Sequence, residues 1–294
     1  MHSNHTTSKT ISAAALLASS LLLGCTTDDA SNSSGTGGSS SASGGMAGAA
    51  GSGGTSGTST GGTSTGGSST GPSICDTKAV VAAAPIANFD TCTVGLTDDA
   101  ATSGCTVAEI GGTSLFGGVF FYDDGTGNPT FSVVPGHTSG GLGLGSTEPA
   151  TEYGGGFGVW TTGCFDASAY EGITFWTRGT APNSGQATVS VLMAETAPSV
   201  PPAGTTNRGT CTGTSETCKP PKFSFPVTDS WTQVHAPWSG FTLGDANGTP
   251  VTADGNDIFQ FQWDIGLAFA PDEGGNYVAQ PAAYELQIDD VAFE

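Results

Sequence analysis

Basic side chains are scarce in this chain, which has six Lys and Arg against 26 Asp and Glu and a formal net charge of −20. Proteins bind phosphate backbones through clusters of Lys and Arg, so this shortage argues against a nucleic-acid partner. The acidic excess favours solubility, and some of the carboxylates are candidates to bind a cation.

Long apolar runs are missing as well. The one apolar run near the start, residues 11–23, is too short to cross a bilayer but suits the core of a signal peptide. It ends at Gly24 and Cys25, which resembles a lipobox, so we predict a lipoprotein signal peptide at 1–24 and lipidation of Cys25. The alternative is an ordinary signal peptide followed by a chance cysteine.

A lipid on Cys25 would hold the chain to one leaflet of a membrane without any spanning segment. We therefore expect an extracytoplasmic protein of the cell envelope, anchored at the outer membrane or the cell surface. Residues 26–73 are almost entirely Gly, Ser, Thr and Ala, a composition that predicts disorder. The predicted domains are thus the signal peptide 1–24, the lipidated cysteine and linker 25–74, and one folded domain 75–294.

Cysteines with the CxxC spacing of a zinc ribbon are absent, so a zinc site is not expected. The seven cysteines minus Cys25 leave an even number for an oxidising compartment, which predicts three disulfides with fifteen possible connectivities. We favour first the pair that closes a short Thr/Gly-rich loop. A second pair is favoured next, and the two cysteines that then remain form the third. In that order the pairs are Cys211–Cys218, Cys92–Cys105 and Cys75–Cys164.

Helical periodicity is nearly absent from the folded domain, where one short helix is predicted at 76–84, before Pro85. Short strand-like runs separated by Gly, Asn, Asp and Pro recur instead, which predicts an all-β, two-sheet antiparallel sandwich. The predicted strands lie at 119–122, 158–161, 172–177, 187–193, 222–227, 231–236, 258–264 and 284–293.

Several segments together match one known kind of module, and residues 166–179, with the sequence DASAYEGITFWTRG, are the match that is specific by itself. The others are strand sequences that occur in the expected order. They are residues 88–90, 121–126, 231–234, 258–261 and 286–291. Over nearly all of 86–294 the chain resembles the galactose-binding-like jelly-roll modules allied to family 11 carbohydrate-binding modules.

The resemblance implies a jelly roll of two opposed antiparallel sheets, with sugar lying across the concave one. It also implies a structural calcium ion between the first and last strands, at positions matching Asp90 and Asp289. The chain departs from the family pattern after Phe89, where Thr91 and Cys92 replace the usual second acid. A calcium ion would give the carboxylate of Asp289, in an apolar strand, the partner that a buried charge needs. The alternative is that Asp289 or Asp290 accepts backbone hydrogen bonds.

Sugars are bound by flat aromatic faces and by planar polar side chains. Within residues 258–264, alternation predicts that the aromatic residues Phe259, Phe261 and Trp263 face inward. The polar side chains between them would then point outward together. An aromatic residue beside an Asp pair and an arginine at a strand end complete the predicted groove. The predicted carbohydrate-binding residues are Tyr122, Arg178, Gln260, Gln262 and Asp264.

The simpler alternative is that the glutamines form an ordinary solvated strand face and that Trp176 belongs to the core. Trp160, Trp231 and Trp238 are assigned to core or sheet-edge packing. Adjacent carboxylates in a strand point to opposite faces, so the Asp pairs of this chain do not predict an acid/base dyad.

His137 and His235 have no nucleophile near them in a recognisable motif. We therefore expect a monomeric, non-catalytic module that binds a polysaccharide or cell-surface glycan. The alternatives are an adhesive or structural envelope lipoprotein that binds proteins, or a hydrolase with two carboxylates about 5–10 Å apart.

Overall fold

The computed structural model describes residues 73–90, 92, 106–199, 209–214 and 216–294. Apart from short 3-10 turns at Ile74–Asp76, Ile110–Gly112, Ala194–Thr196 and Trp238–Gly240, its regular structure is all β. The strands are β1 (Lys78–Val80), β2 (Pro85–Ala87), β3 (Thr106–Ala108), β4 (Phe116–Asp123), β5 (Thr130–Pro135), β6 (Gly140–Ala150), β7 (Gly154–Asp166), β8 (Gly172–Thr180), β9 (Gln186–Met193), β10 (Cys218–Lys219), β11 (Lys222–Pro226), β12 (Thr232–Pro237), β13 (Gly244–Ala246), β14 (Thr249–Val251), β15 (Ile258–Gly266), β16 (Phe269–Pro271), β17 (Tyr277–Ala279) and β18 (Ala282–Phe293).

Two large sheets contain most of these strands. Sheet I has the order β11-β9-β15-β7-β4-β3, and β1 adds to β7 in parallel. Sheet II has the order β12-β8-β18-β6-β5, and β2 pairs with β18. All pairs in these sheets except β1–β7 are antiparallel, so the predicted two-sheet antiparallel sandwich is confirmed.

The core lies between the inner faces of the two sheets, where strand alternation supplies one buried side chain at every second position. Phe175 of β8 meets Trp263 of β15 edge-on, with ring centroids 5.7 Å apart. Phe131 of β5 lies 5.5 Å from Phe157 of β7. Because these pairs join the sheets through their inner faces, the outward side chains of sheets I and II lie on opposite sides of the sandwich.

The helix predicted at 76–84 is wrong. Residues Ile74–Asp76 form a 3-10 turn, and Lys78–Val80 then run parallel to Cys164–Asp166 of β7. A disulfide between Cys75 and Cys164 and an ion pair of Lys78 with Asp257 (3.0 Å) hold this segment against the sheet. These long-range contacts outweigh a weak local helix preference.

Two of the three predicted disulfides lie among the described residues, Cys75–Cys164 and Cys211–Cys218. Cys92 is also disulfide-bonded, while Cys105 lies outside the described residues. Cys25, the signal peptide at 1–24 and nearly all of the linker at 25–74 lie outside them too. Among the residues that are described, no helix is long and apolar enough to cross a membrane.

Candidate functional site

Three polar side chains of β15 point outward from sheet I as predicted. Phe261 and Trp263 are fully buried, whereas Gln260, Gln262 and Asp264 between them are half-buried on the outer face. The amide nitrogen Nε2 of Gln260 donates to Oε1 of Gln262 at 3.3 Å, and Nε2 of Gln262 donates to Oδ1 of Asp264 at 2.7 Å. The three side chains therefore converge into one hydrogen-bonded row.

The inward placement predicted for Phe259 is wrong in one respect. A register shift between Ile258 and Gln260 marks a β-bulge, which interrupts the alternation of the strand. Phe259 is buried, but it packs with Cys164 and Ala197 in a small cluster separate from the main core. Since Leu192, which is aligned with Gln260 on the outer face, also contacts this cluster, Phe259 closes one end of that face.

An aromatic row runs beside the polar row, and it arises from cross-strand pairs of an aromatic residue with a glycine. In the β4–β7 register Trp160 is opposite Gly118, Phe120 is opposite Gly158 and Tyr122 is opposite Gly156. The ring of each aromatic residue leans over its glycine. A Cβ at Gly158 would lie 2.6 Å from Cε1 of Phe120, and one at Gly156 would lie 2.6 Å from the hydroxyl of Tyr122. Glycine at these positions is what lets the rings lie across the sheet.

The two rows are in step. In the β15–β7 register Gln260 is opposite Trp160, Gln262 is opposite Gly158 and Asp264 is opposite Gly156. From Gly118 to Tyr122 the aromatic row extends about 13 Å along the strand. The outer face of sheet I thus carries an aromatic row on β4 and β7 with an amide and carboxylate row directly beside it on β15.

Asp264 is the centre of a hydrogen-bond network. Its Oδ1 accepts from the Tyr122 hydroxyl as well as from Gln262. Its Oδ2 accepts from Ser190 at 3.2 Å and lies 3.6 Å from Nζ of Lys222, on the neighbouring strands β9 and β11. With so many donors already around it, the carboxylate fixes the surrounding side chains and has little capacity left for a ligand.

The network sets the state and direction of Tyr122. Burial, the negative charge of Asp264 and the hydrogen bond to it raise the pKa of Tyr122 above its ordinary value, so the phenol is a neutral donor. Its oxygen also accepts from Nε2 of Gln262 at 3.2 Å. Both N–H groups of Gln262 are thereby used, since a carboxylate next to the amide can only accept. Within the described residues, Gln260 keeps one N–H and its carbonyl oxygen without a partner.

Arg178, which we predicted in the same groove, lies elsewhere. It belongs to β8 of sheet II, so it is on the opposite side of the sandwich from Tyr122. There its Nε donates to Oε1 of Gln287 at 2.7 Å, and its guanidinium carbon lies 5.1 Å from the ring centroid of Trp231. The prediction of one groove containing Arg178 is wrong because strand pairing, which the local pattern does not encode, assigns β8 to the other sheet.

A second aromatic contact on the outer face of sheet II joins β8 to a turn. The imidazole of His137 stacks on Trp176 with centroids 3.6 Å apart and 8° between the planes. Trp176 is therefore on the outer face and half-buried, not in the core. His137 lies in the turn that joins β5 to β6.

The two proposed calcium ligands hold that same turn, residues 136–140. Asp289 is fully buried, and its carboxylate accepts the backbone N–H groups of His137 (2.7 Å), Thr138 (3.3 Å) and Asp290 (2.8 Å). Oδ1 of Asp90 accepts the backbone N–H of Gly140 at 2.9 Å. Burial raises the pKa of Asp289, and these backbone hydrogen bonds oppose that effect.

The arrangement around Asp289 agrees with the backbone hydrogen-bonding alternative. No group of three or more His, Cys, Asp or Glu side chains suited to a metal occurs among the described residues. Calcium also accepts carbonyl oxygens, so binding near Asp90 and Asp289 stays a prediction of the resemblance. Thermal melting with added calcium and with a chelator tests it.

Three residues of the site were not predicted. Trp160 was assigned to packing, but it is half-buried on the outer face of sheet I. Phe120 and Lys222 are not among the predicted site residues. The alternation of Gly154, Gly156 and Gly158 on β7 was a usable signal, because glycines at every second position of a strand leave room for side chains from the next strand.

Comparison with known proteins gives no match to a family model and none to a curated protein. Among solved structures, the chain is similar to a family 11 carbohydrate-binding module from Clostridium thermocellum in complex with a β-1,3-1,4-mixed-linked tetrasaccharide. The identity is 16% and the TM-score 0.36, over 60% of this chain and 87% of that one. A family 11 module of a cellulosomal cellulase from the same organism is 16% identical, with a TM-score of 0.35 and coverage of 60% and 86%.

An exo-β-agarase is 11% identical, with a TM-score of 0.32 over 60% of this chain and 22% of that chain. The family 11 modules that the sequence resembles are thus also among the structures similar to it.

Proposed function

We propose that this domain is a non-catalytic carbohydrate-binding module that holds a polysaccharide chain on the outer face of sheet I. The observation that carries the proposal is the pair of rows in register, aromatic on β4 and β7 and polar on β15. Aromatic rings contact the apolar faces of sugar rings, while amides exchange hydrogen bonds with the hydroxyl groups.

The free hydrogen-bonding capacity of the face suits sugar hydroxyl groups. Gln260 offers one donor and a carbonyl acceptor, and the carbonyl of Gln262 has one lone pair left beyond its bond from Gln260. Asp264 acts indirectly by holding Tyr122 and Gln262 in place. The hydrogen bonds that join Gln260, Gln262 and Asp264 hold the polar row in place before a ligand binds, which lowers the entropic cost of binding.

Charge favours a neutral glycan over an acidic one. The net charge of the chain is −20, so a polyanion is repelled at long range. At the outward positions of β4, β7, β9, β11 and β15, the one basic side chain is Lys222, and it is paired with Asp264. An acidic polysaccharide would find no unpaired cation in these rows.

The same face supports binding without catalysis. Asp264 is the one carboxylate within the two rows, and Asp166, which lies at the far end of β7 from Gly156, is paired with Lys78. A glycosidase with two carboxylates needs a second acid about 5–10 Å away, across the scissile bond. A water-activating base would also need a free lone pair, and the oxygens of Asp264 are engaged by its neighbours.

Affinity electrophoresis in gels containing neutral polysaccharides tests the proposal. Mixed-linkage β-1,3-1,4-glucan is the first probe because one structurally similar protein was solved with a fragment of it. Retardation should fall about fivefold to tenfold in Gln260→Ala, which removes the free amide. Gln233→Ala, an exposed glutamine on β12 of sheet II, is the matched control and should behave as wild type. Equal retardation of Gln260→Ala and wild type across all probes would sink the proposal.

The proposed function includes display of the module outside the cytoplasm on a lipid attached to Cys25. Its support is the sequence of residues 11–25 alone. Metabolic labelling with a fatty acid should mark the wild-type protein but not Cys25→Ala, which should also leave the membrane fraction. An unlabelled wild-type protein would remove the anchor from the proposal and leave the sugar site untouched.

A further inference from the structure

Exposed aromatic side chains gather at one end of the sandwich. Tyr153 is 50% exposed, Phe269 55% and Tyr277 75%. Together with Val278 they make up four of the seven large hydrophobic residues that are exposed in the described part of the chain. Exposed apolar side chains that lie together at a surface commonly mark an interaction site. We call Tyr153, Phe269 and Tyr277 the end cluster.

Strand pairing places the end cluster beside the proposed sugar site. The turn 151–153 joins β6 to β7, and the hairpin β16–β17 joins β15 to β18. At this end of the sheets Gly154, the first residue of β7, pairs with Gly266 of β15. Ala150, the last residue of β6, pairs with Ala282 of β18. The turn and the base of the hairpin therefore lie side by side, beyond the Tyr122–Asp264 end of the two rows.

A hydrogen bond connects the end cluster to the aromatic row. The hydroxyl of Tyr153 donates to the backbone carbonyl of Asp123 at 2.8 Å, and Asp123 directly follows Tyr122. The order of aromatic residues is thus Trp160, Phe120 and Tyr122 on the sheet, followed by Tyr153 at its edge.

The hairpin holds its two aromatic residues in a fixed arrangement. Phe269 is opposite Ala279 and Pro271 is opposite Tyr277, so Phe269 and Tyr277 are diagonal neighbours on one face. The tip is ordered by Asp272, whose carboxylate accepts the backbone N–H groups of Gly274 and Asn276, both at 2.8 Å.

We infer that the end cluster extends the sugar-binding face past the edge of sheet I, so that the module binds a polysaccharide segment longer than the rows on the sheet. This inference rests on the proposed function. It assigns Tyr153, Phe269 and Tyr277 to the distal part of a neutral glycan chain whose proximal part lies over Tyr122 and Phe120.

The charges around the end cluster favour this occupant over two others. Exposed carboxylates flank it, with Glu152 beside Tyr153 and both Asp272 and Glu273 at the hairpin tip. A second copy of this acidic chain and an anionic lipid surface would both be repelled there. A neutral glycan meets no such repulsion, and its ring faces suit the exposed aromatic side chains.

The experiment compares two probes of one linkage by isothermal titration calorimetry, a mixed-linkage β-1,3-1,4-glucan tetrasaccharide and the intact polymer. For the triple variant Tyr153→Ala, Phe269→Ala, Tyr277→Ala we expect a tetrasaccharide Kd within about twofold of wild type. Its affinity per site for the polymer should fall about tenfold. The double variant Phe269→Ala, Tyr277→Ala should lose part of that increment without touching the Asp123 contact.

Val80→Ala is the matched control, since Val80 is 71% exposed and pairs with Asp166 at the other end of β7. It should bind both probes as wild type does. Polymer affinity unchanged in the triple variant, with wild-type melting, would overturn the inference while the proposed function stood. A wild-type dimer that the triple variant converts to a monomer would also overturn it, in favour of a second copy. A wild-type protein that binds neither probe would remove the proposed function for this glucan and the inference with it.

Discussion

The two outer faces of the sandwich carry similar side chains but use them differently. Each has tryptophan, glutamine and aspartate at outward strand positions. On sheet II, Trp176 is stacked by His137, Arg178 covers Trp231 and the buried Asp289 binds the backbone of a turn. On sheet I, none of Trp160, Phe120 and Tyr122 takes part in a ring–ring or cation–ring contact within the described residues.

This difference distinguishes the proposed binding face from the face that holds a turn. A ring that already has a stacking partner, or an amide whose hydrogen bonds are complete, offers little to a ligand. Sheet I keeps unstacked rings and a partly free Gln260. On sheet II, Trp176 and Asp289 hold the turn 136–140, and Gln287 binds Arg178 and Glu285. Residue type alone therefore does not identify a site. The stacking and hydrogen-bonding capacity that the side chains keep after folding is the better guide.

The largest expected effect comes from removing two rings of sheet I. Phe120→Ala combined with Trp160→Ala should weaken polysaccharide binding on the order of a hundredfold, because each ring would contribute roughly 1–2 kcal/mol. Trp176→Ala, on sheet II, should lower the melting temperature yet leave Kd within about twofold. Calorimetric titration measures both, and a similar loss of binding in both variants would erase the distinction between the faces.

Asp289→Asn should act on stability. The substitution removes one acceptor from a buried group that serves three backbone N–H donors, which costs about 2 kcal/mol of unfolding free energy. Urea denaturation measures this loss, and glycan affinity at a temperature where the variant is folded should equal that of wild type. Weaker binding by the fully folded variant would mean that sheet II contributes to the ligand site.

Asp264→Asn should show the opposite behaviour. Its Nδ2 group would face donors, so Tyr122 and Gln262 would lose their orientation and Kd should rise about tenfold. The half-buried position lets water satisfy the released groups, so the urea midpoint should move less than for Asp289→Asn. A binding constant equal to that of wild type would show that the network is not needed for recognition.

The smallest expected effect is on stability and comes from substitution of Asp124. This residue lies at the turn that connects the aromatic row to the end cluster. Partial burial raises the pKa of Asp124, but hydrogen bonds from Thr126, Gly154 and Tyr153 lower it to about 2. Because the folded-state pKa lies below the unfolded value of about 3.9, the stabilisation is present above pH 4 and is lost as the pH falls towards 2.

Asp124→Asn should therefore be less stable than wild type by about 1 kcal/mol at pH 6, and the gap should shrink towards pH 2. Urea denaturation at a series of pH values follows this gap. A gap that does not change with pH would contradict the assignment of this stabilisation to the ionised carboxylate.

Local pattern predicted most of the fold. All eight predicted strand segments lie in the two sheets, because inward residues such as Phe261 and Trp263 alternate with polar ones. Within these sheets β1, β2, β3, β5 and β6 were missed. On β6 the outward positions Gly141, Gly143 and Gly145 have no side chains, so the alternation with Leu142 and Leu144 does not stand out.

The site was predicted where one strand carries it and missed where strand pairing decides it. Gln260, Gln262 and Asp264 follow from alternation within β15, but the place of Arg178 depends on which sheet receives β8. The exposure of Trp160 depends on its pairing with Gly118, and the position of Phe259 depends on a bulge. Pairing and bulges are non-local, so the pattern of a single strand does not contain them.

Side-chain NMR during titration with the mixed-linkage β-1,3-1,4-glucan tetrasaccharide tests the central claim most directly. The claim predicts saturable shifts for the amide NH2 groups of Gln260 and Gln262 and for the indole N–H of Trp160. The indole signals of Trp176 and Trp231 should stay in place. Saturable shifts confined to those sheet II indoles, or no shifts on either face, would contradict the claim that sheet I is the sugar-binding face.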